Sequence, residues 1–129
     1  MANEAIPSDV RAFLARWVES VEGLEILLAL REDPERRWSE LDVTQRIQST
    51  AASVGRRLRM LVAAGLIQVA GDPPQFCYKP RTPDLDSIAS RIADAYRDYR
   101  ATVIQLIYER PSDQILGFAK AFDLRKKQP

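Results

Sequence analysis

Apolar residues recur every three or four positions along several stretches of the chain, which is the pattern of helices with one buried face. A first such stretch covers residues 10–21. A second runs from about residue 21 or 22 to Arg31, and Pro34 stops it. Gly23 marks either a bend between two helices or a position inside one continuous helix. The N-terminal part of the chain is therefore predicted to be helical.

The middle of the chain alternates short helices and short strands. Ser39 and Asp42 have the spacing of a capping box, which predicts a helix that runs to roughly Ile47. Three segments have the composition of short strands, namely residues 36–38, 66–70 and 76–79. The turn between the last two strands is too rich in proline for a tight hairpin.

A further helix is predicted between a capping residue, Ser49 or Thr50, and Gly65, a residue type that often ends helices. Its apolar stripe consists of Ala51, Val54, Leu58 and Leu61, and its opposite stripe of Ala52, Arg56, Arg59 and Ala63. A helix that is anchored on one face, and small and basic on the other, suits a groove of nucleic acid. A buried helix with a solvated basic edge is the alternative. Gly55 costs roughly 1 kcal/mol relative to alanine, and either close approach to a partner or helix-packing clearance would account for it.

The predicted order is helix, short strand, helix, turn, helix, strand, turn, strand. This order, with the segment AAGLIQVAG after an arginine-rich helix, resembles winged helix-turn-helix transcriptional regulators of general MarR or PadR architecture. The resemblance covers about Val21 to Pro80. It implies a mainly α fold with a small β-hairpin wing, and a recognition helix at about residues 50–64 in the major groove.

The resemblance also implies which residues face DNA. The predicted DNA-contacting residues are Ser49, Thr50, Ala52, Ser53, Arg56, Arg57, Arg59 and Lys79. Arg57 lies nearer the apolar stripe, so it contacts either the DNA backbone or an acid of the first helices. The wing tip, at residues 72–74, carries no cation for the minor groove. We therefore expect modest DNA affinity that depends mainly on Arg56 and Arg59.

The last third of the chain predicts a dimer. No helix breaker occurs from Asp84 to about Arg110, which predicts one helix roughly 40 Å long at 1.5 Å per residue. The predicted interface, a coiled-coil-like seam, consists of Leu85, Ile88, Ile92, Tyr96, Tyr99, Val103 and Leu106. A monomer in which this helix folds back on the domain is the alternative. The chain thus divides into a winged-helix domain with an N-terminal helix (1–82) and a C-terminal helical dimerisation region (83–129).

Charge is distributed unevenly, although the formal net charge is only +1. Residues 1–33 contain seven acidic residues and three arginines, whereas residues 44–71 contain four arginines and no acid. This separation predicts a positive face around helix 50–64. A short helix is predicted after Ser112, and the basic residues 125–127 that follow it are either a solvated end or a source of sequence-independent attraction to DNA.

Composition argues against an enzyme. The chain has no histidine, so the commonest general base and metal ligand is absent. Cys77 has no local partner to activate its thiol, and neither a glycine-rich phosphate loop nor a metal-ligand spacing occurs. We therefore predict no catalysis, no cofactor and no metal. A single cysteine, no membrane-spanning apolar run and no secretory signal predict a cytoplasmic protein without a membrane partner.

Three functions remain open at this point. The favoured function is that of a sequence-specific transcriptional regulator that binds double-stranded DNA as a homodimer. The second is a winged-helix protein–protein interaction module that does not bind DNA, which the wing and the low net charge favour. The third is a regulator with a small-molecule effector, whose pocket lies between the dimer helices near Trp17, Tyr96 and Tyr99.

Overall fold

The computed structural model describes residues 6–109, which form six helices and one three-stranded antiparallel sheet. In chain order the elements are α1 (Ser8–Trp17), α2 (Val21–Glu32), β1 (Trp38–Ser39), α3 (Glu40–Ile47), α4 (Ala51–Ala64), β2 (Ile67–Ala70), β3 (Gln75–Tyr78), α5 (Pro83–Asp98) and α6 (Arg100–Glu109). The predicted fold class, mainly α with a small β wing in winged-helix order, is confirmed. The helix predicted after Ser112 and the basic tail lie outside the described residues.

Local capping chemistry sets both ends of the helix-turn-helix segment. Ser39 and Asp42 form the predicted capping box at the start of α3, with both backbone-to-side-chain distances at 3.0 Å. The hydroxyl oxygen of Thr50 accepts a hydrogen bond from the Ser53 N–H at the start of α4. Gly65 ends α4 with φ 82°, a left-handed conformation that glycine adopts without steric cost. These boundaries are the ones that the sequence predicts.

The break between α1 and α2 lies at residues 18–20, so the bend suggested at Gly23 is wrong. Ser20 is the N-cap of α2, and its hydroxyl oxygen accepts the Gly23 N–H at 3.0 Å. This bond satisfies a donor that the first turn of a helix otherwise leaves unpaired, and so fixes the start of α2. Gly23 itself lies inside the first turn of α2.

A single buried apolar cluster includes residues from all six described helices and from the sheet. α4 contributes Val54, Leu58 and Leu61, each at most 1% exposed, to this core. Ala51 is exposed, so the buried stripe of α4 begins one turn later than predicted. The cluster contains residues on both sides of the boundary predicted after residue 82. The wing domain and the C-terminal helices therefore share one core.

The sheet has the strand order β1-β3-β2, and Trp38 on β1 lies opposite Phe76 on β3. Residues 71–74 form the loop between β2 and β3. The wing is tied to α5 because the Tyr78 hydroxyl donates a hydrogen bond to Asp86 Oδ1 at 2.6 Å. Burial, with a further contribution from Asp86, raises the pKa of Tyr78 to about 12. The hydroxyl is therefore protonated, and a donor, across the neutral pH range.

The prediction of one continuous helix from residue 84 to about 110 is wrong, because the chain breaks at Tyr99. This residue has φ −134° and ψ 47°, which lies outside the helical region, and it separates α5 from α6. Both helices contact α1, and Val103 and Ile107 on α6 are buried in the common core. No proline or glycine lies at the break, so the local sequence gives no signal for it.

The predicted dimer residues are consequently spread over different environments. Ile92, Tyr96 and Val103 are buried in the chain's own core, and Leu85, Ile88 and Leu106 are half-buried. Tyr99, at the break, is 41% exposed. Much of the predicted seam therefore packs within one chain, and dimerisation itself stays a prediction.

We expect Gly65→Ala to lower the free energy of unfolding by about 1–2 kcal/mol, because a non-glycine residue is disfavoured at this positive φ. A Cβ at this position would also lie 3.0 Å from Leu85 Cδ1. Urea denaturation followed by circular dichroism measures the loss. Gly23→Ala is the matched control, since a Cβ there meets only ordinary contacts at 3.6 Å or more, and we expect it to be neutral or stabilising. Equal stabilities for the two variants would contradict this account.

Candidate nucleic-acid interface

One face of α4 is open to solvent, while the other is fixed against the rest of the chain. The helix packs against α1, α2, α3 and β2 through its apolar side. The opposite stripe, Ala52, Arg56, Arg59 and Ala63, is exposed at every position. The small residues leave the backbone accessible between the two arginines, so a flat or grooved partner can approach this face closely.

Two carboxylates at the α1–α2 junction bind the N-terminal half of α4. Glu19 accepts hydrogen bonds from Arg56, at 2.8 Å from Nε and 3.3 Å from Nη2, and also pairs with Arg57 Nη1. Glu22 accepts from Arg57 Nε at 3.3 Å and from the Ser53 hydroxyl. Of the two roles considered for Arg57, the structure shows pairing with acids next to the first helices.

The predicted DNA-contacting residues therefore fall into two groups. The exposed group consists of Thr50, Ala52, Arg56, Arg59 and Lys79, and the half-buried group of Ser49, Ser53 and Arg57. Ser53 and Arg57 are turned toward Glu22 on α2 rather than toward the open face. Arg59 makes no ion pair with any residue between 6 and 109. Within the described chain it is the cation of α4 that is most available to a partner.

Gly55 is buried where the side chains of Glu40 on α3 and Arg59 on α4 approach the helix backbone. It is buried against α3, and a Cβ there would lie 3.0 Å from Glu40 Oε1 and 3.4 Å from Arg59 Nη1. Both atoms belong to the ends of flexible side chains, which can shift, so the structure shows a tight site at Gly55 without a rigid clash between the helices.

The positive face is smaller than the charge distribution along the sequence suggests. Two of the four arginines in residues 44–71 are paired with acids from residues 1–33. Sequence reasoning missed Glu19 and Glu22 because they are distant in the chain from their partners, 37 residues in the case of Glu19 and Arg56. The excess of acids in residues 1–33 was the signal that could have revealed these pairs. Such an excess can neutralise the arginines of another segment as well as form a separate acidic surface.

The wing contributes few cations to this surface. The tip, residues 71–74, is exposed and carries Asp72 as its charged residue, and Lys79 at the base is exposed as well. Arg81 Nη2 donates a hydrogen bond to the Val62 carbonyl at 3.3 Å, near the C-terminal end of α4. A cation at that position offsets the partial negative charge of the helix end. Arg81 thus stabilises α4 rather than extending the cationic stripe.

Two clefts of about 400 and 480 Å³ lie beside α2 and α5, and both are lined by Leu28, Glu32, Tyr96 and Arg100. The Arg100 guanidinium lies 4.8 Å from the centre of the Tyr96 ring. Tyr99 lines a smaller cleft of about 200 Å³. Trp17 packs against the core with the Arg16 guanidinium 4.4 Å above its ring. Of the three aromatics predicted to surround one pocket, Tyr96 therefore lines the two larger clefts.

Residues 6–109 contain no group of three or more potential ligands, His, Cys, Asp or Glu, that could hold a metal ion. No helix in the same range carries an apolar stretch long enough to cross a lipid bilayer.

Similarity to known proteins appears at the level of structure. No family model matches the sequence. No curated protein matches it either. A solved structure of MepR, a transcription regulator of the Staphylococcus aureus multidrug efflux pump MepA, is 16% identical with a TM-score of 0.55, covering 97% of this chain and 89% of that chain.

Two further solved structures have the same architecture. The multiple antibiotic-resistance repressor (MarR) from Listeria monocytogenes is 16% identical with a TM-score of 0.52, covering 92% of this chain and 77% of that chain. A MepR mutant from S. aureus bound to an oligodeoxyribonucleotide is 16% identical with a TM-score of 0.54, covering 97% of this chain and 88% of that chain. The chain therefore has the winged-helix fold of MarR-type proteins.

The contacts of Glu22 with α4 depend on pH, because the Glu22 carboxyl must be ionised to make them at full strength. Burial raises the pKa of Glu22, but the hydroxyls of Ser49 and Ser53 and the Arg57 guanidinium together outweigh it, so the pKa lies below its ordinary value. A carboxyl with a lowered folded-state pKa stabilises the protein above its unfolded-state pKa. This stabilisation is lost as the pH falls through the lower, folded-state pKa.

We expect Glu22→Gln to lower the free energy of unfolding by about 1–2 kcal/mol at neutral pH, because charge-assisted hydrogen bonds are lost. The difference from the wild type should shrink as the pH falls through the lowered pKa of Glu22, because the wild-type carboxyl then also becomes protonated. Urea titrations over a pH series measure it. Glu25→Gln removes the same charge from the next turn of α2, where no ion pair with α4 is lost. A Glu22→Gln deficit that does not change with pH would contradict the assignment.

Proposed function

We propose that this protein is a sequence-specific, DNA-binding transcription regulator in which α4 enters the major groove. The observation that carries the proposal is a winged-helix fold whose α4 is fixed by its apolar face and exposes a small, basic stripe. A protein of the same fold has been captured with an oligodeoxyribonucleotide, which supports the proposal by analogy. A regulator of this kind acts where the DNA is, in agreement with the cytoplasmic location predicted from the sequence.

The proposed contacts follow from the accessibility of α4. Arg59 is exposed without an ion-pair partner in residues 6–109, so it is the side chain that we assign to a base edge or a phosphate. Ala52 and Ala63 let the helix backbone approach the groove. The Thr50 cap binds the Ser53 N–H, and we assign the N–H groups of Ala51 and Ala52 to a phosphate.

If Arg59 contacts a base, we expect Arg59→Ala to lose about 1–3 kcal/mol of DNA-binding free energy. If Arg59 contacts a phosphate, we expect the dependence of the logarithm of the binding constant on the logarithm of the salt concentration to become smaller by about one unit. Fluorescence anisotropy with a labelled random-sequence duplex, repeated at several salt concentrations, measures both quantities. Arg97→Ala is the charge-matched control, since Arg97 is exposed on α5 and pairs there with Asp94 and Asp98. Unchanged affinity and salt slope in Arg56→Ala/Arg59→Ala would show that α4 is not the groove helix.

We propose that the protein acts as a homodimer, with an interface that involves the C-terminal helices. The supporting observation is that α6 exposes a large aromatic side chain, Tyr108, at 78%, and that Tyr99 at the α5–α6 break is 41% exposed. Tyrosine is enriched at protein–protein interfaces relative to the rest of the surface. The described part of α6 therefore offers apolar surface to a second copy.

Light scattering after size-exclusion chromatography should give a mass near twice 14.6 kDa at micromolar concentration. Tyr108→Lys should shift the population toward the single-chain mass, because it places a charge in the proposed interface. Arg11→Lys, an exposed change on α1 that keeps the charge, is the control. A single-chain mass for the wild type would remove the dimer from the proposal.

A second candidate function is a winged-helix protein–protein module. It is favoured by the pairing of Arg56 and Arg57 with acids and by the absence of cations from the described wing tip. Failure of the wild type to bind any random-sequence duplex at low salt would select it. A small-molecule effector is a third proposal, supported by the clefts that Tyr96 lines. Thermal-shift screening with small organic acids and amines tests it directly.

A further inference from the structure

The α1–α2 junction places a carboxylate on the open side of α4. Glu19 lies in the three-residue link between the helices, and its side chain is 20% exposed. It holds Arg56 through two hydrogen bonds, from Nε and Nη2, which is the two-pronged geometry that a guanidinium also uses with phosphate. Arg56 remains 61% exposed while paired. The same guanidinium can therefore be reached from solvent by a second anion.

Glu19 and Glu22 contact different sides of α4. Glu22 binds Ser53 and Arg57, which are half-buried between α2 and α4, so its contacts join the two helices. Glu19 joins Arg57, whose side chain is 20% exposed, to Arg56 on the outer stripe. Loss of the Glu22 contacts would disturb packing. Loss of the Glu19–Arg56 contact would instead free a cation at the surface.

We propose that Glu19 is an intramolecular competitor of DNA phosphate for Arg56, and that it limits backbone affinity so that binding depends on Arg59 and the rest of the stripe. This inference rests on the proposed DNA-binding function. A phosphate that takes Arg56 leaves Glu19 and Glu22 to share Arg57, so this group of three side chains carries one net negative charge and takes up a cation from solution. That uptake offsets the counterion released from the DNA, so Arg56 adds little to the salt dependence of the wild type.

The inference predicts that Glu19→Gln strengthens DNA binding and makes it more sensitive to salt. Without the competing carboxylate, Arg56 counts as one additional phosphate contact. A plot of the logarithm of the DNA-binding constant against the logarithm of the salt concentration should then be steeper by about 0.9. The advantage of Glu19→Gln over the wild type should accordingly shrink about 3.5-fold when the salt concentration rises fourfold. Anisotropy titrations of one random-sequence duplex over a salt series measure both effects.

Two further variants separate competition for Arg56 from a general change in the field of the protein. In an Arg56→Ala background the Glu19→Gln gain should disappear, because the effects of two residues in direct contact are coupled. Glu25→Gln removes the same charge from α2 without freeing an α4 arginine, and should leave the salt slope unchanged. A gain that persists without Arg56, or that Glu25→Gln reproduces, overturns the inference.

The outcomes also distinguish this inference from the function on which it rests. If the wild type binds duplex and Arg59→Ala weakens it while Glu19→Gln has no effect, DNA binding stands and the role of Glu19 is wrong. If neither the wild type nor Glu19→Gln binds duplex at low salt, both fail. Far-UV circular dichroism and thermal unfolding establish that the variants fold. If Glu19→Gln does not fold, Glu19→Ala replaces it in the same titrations.

Discussion

The orientation of α4 depends on the apolar contacts of its buried face. Complete burial of an aliphatic side chain contributes roughly 1.5–3 kcal/mol, and Val54, Leu58 and Leu61 are all buried to this degree. Surface ion pairs such as Arg56–Glu19 contribute at most about 1 kcal/mol. Apolar packing therefore contributes most to the position of the helix, Glu22 adds contacts between α2 and α4, and Glu19 orients the Arg56 side chain at the surface. The open stripe is a consequence of that division.

Features that depend on residues close in sequence could be predicted from the sequence. The capping box of Ser39 and Asp42, the Thr50 cap and the Gly65 terminus each involve groups at most three or four positions apart, and each lies where the pattern places it. The exposed stripe of α4 follows in the same way from helical periodicity. The break at Tyr99 could not be predicted, because the sequence has no proline or glycine there and is compatible with a continuous helix, whereas the contacts of α5 and α6 with α1 join segments far apart in the chain.

The positive face of the candidate interface was also predicted only in part, because its charge depends on residues that are distant in the sequence. Charge counted along the chain separates an acidic N-terminal region from a basic middle region, but folding brings Glu19 and Glu22 onto Arg56 and Arg57. A pattern in one dimension cannot distinguish a free positive face from one already neutralised by a distant segment. Arg59 was identified correctly as an exposed cation, because it lies on the stripe of α4 opposite the apolar residues and pairs with no acid in residues 6–109. The availability of Arg56 depends on a second element.

The N-terminal helix finds most of its partners at the other end of the chain. α1 packs against α5 and α6, and Asp9 on α1 pairs with Arg91 on α5 across 82 residues. The contacts among α2, α3, α4 and the strands span shorter separations. During synthesis on the ribosome, α1 therefore emerges long before the helices that cover its apolar face, whereas the α2–β3 segment can already pack. We therefore expect α1 to complete its packing late, since α4 is its earlier partner and the surface that α5 and α6 cover stays exposed on the nascent chain until those helices have been made.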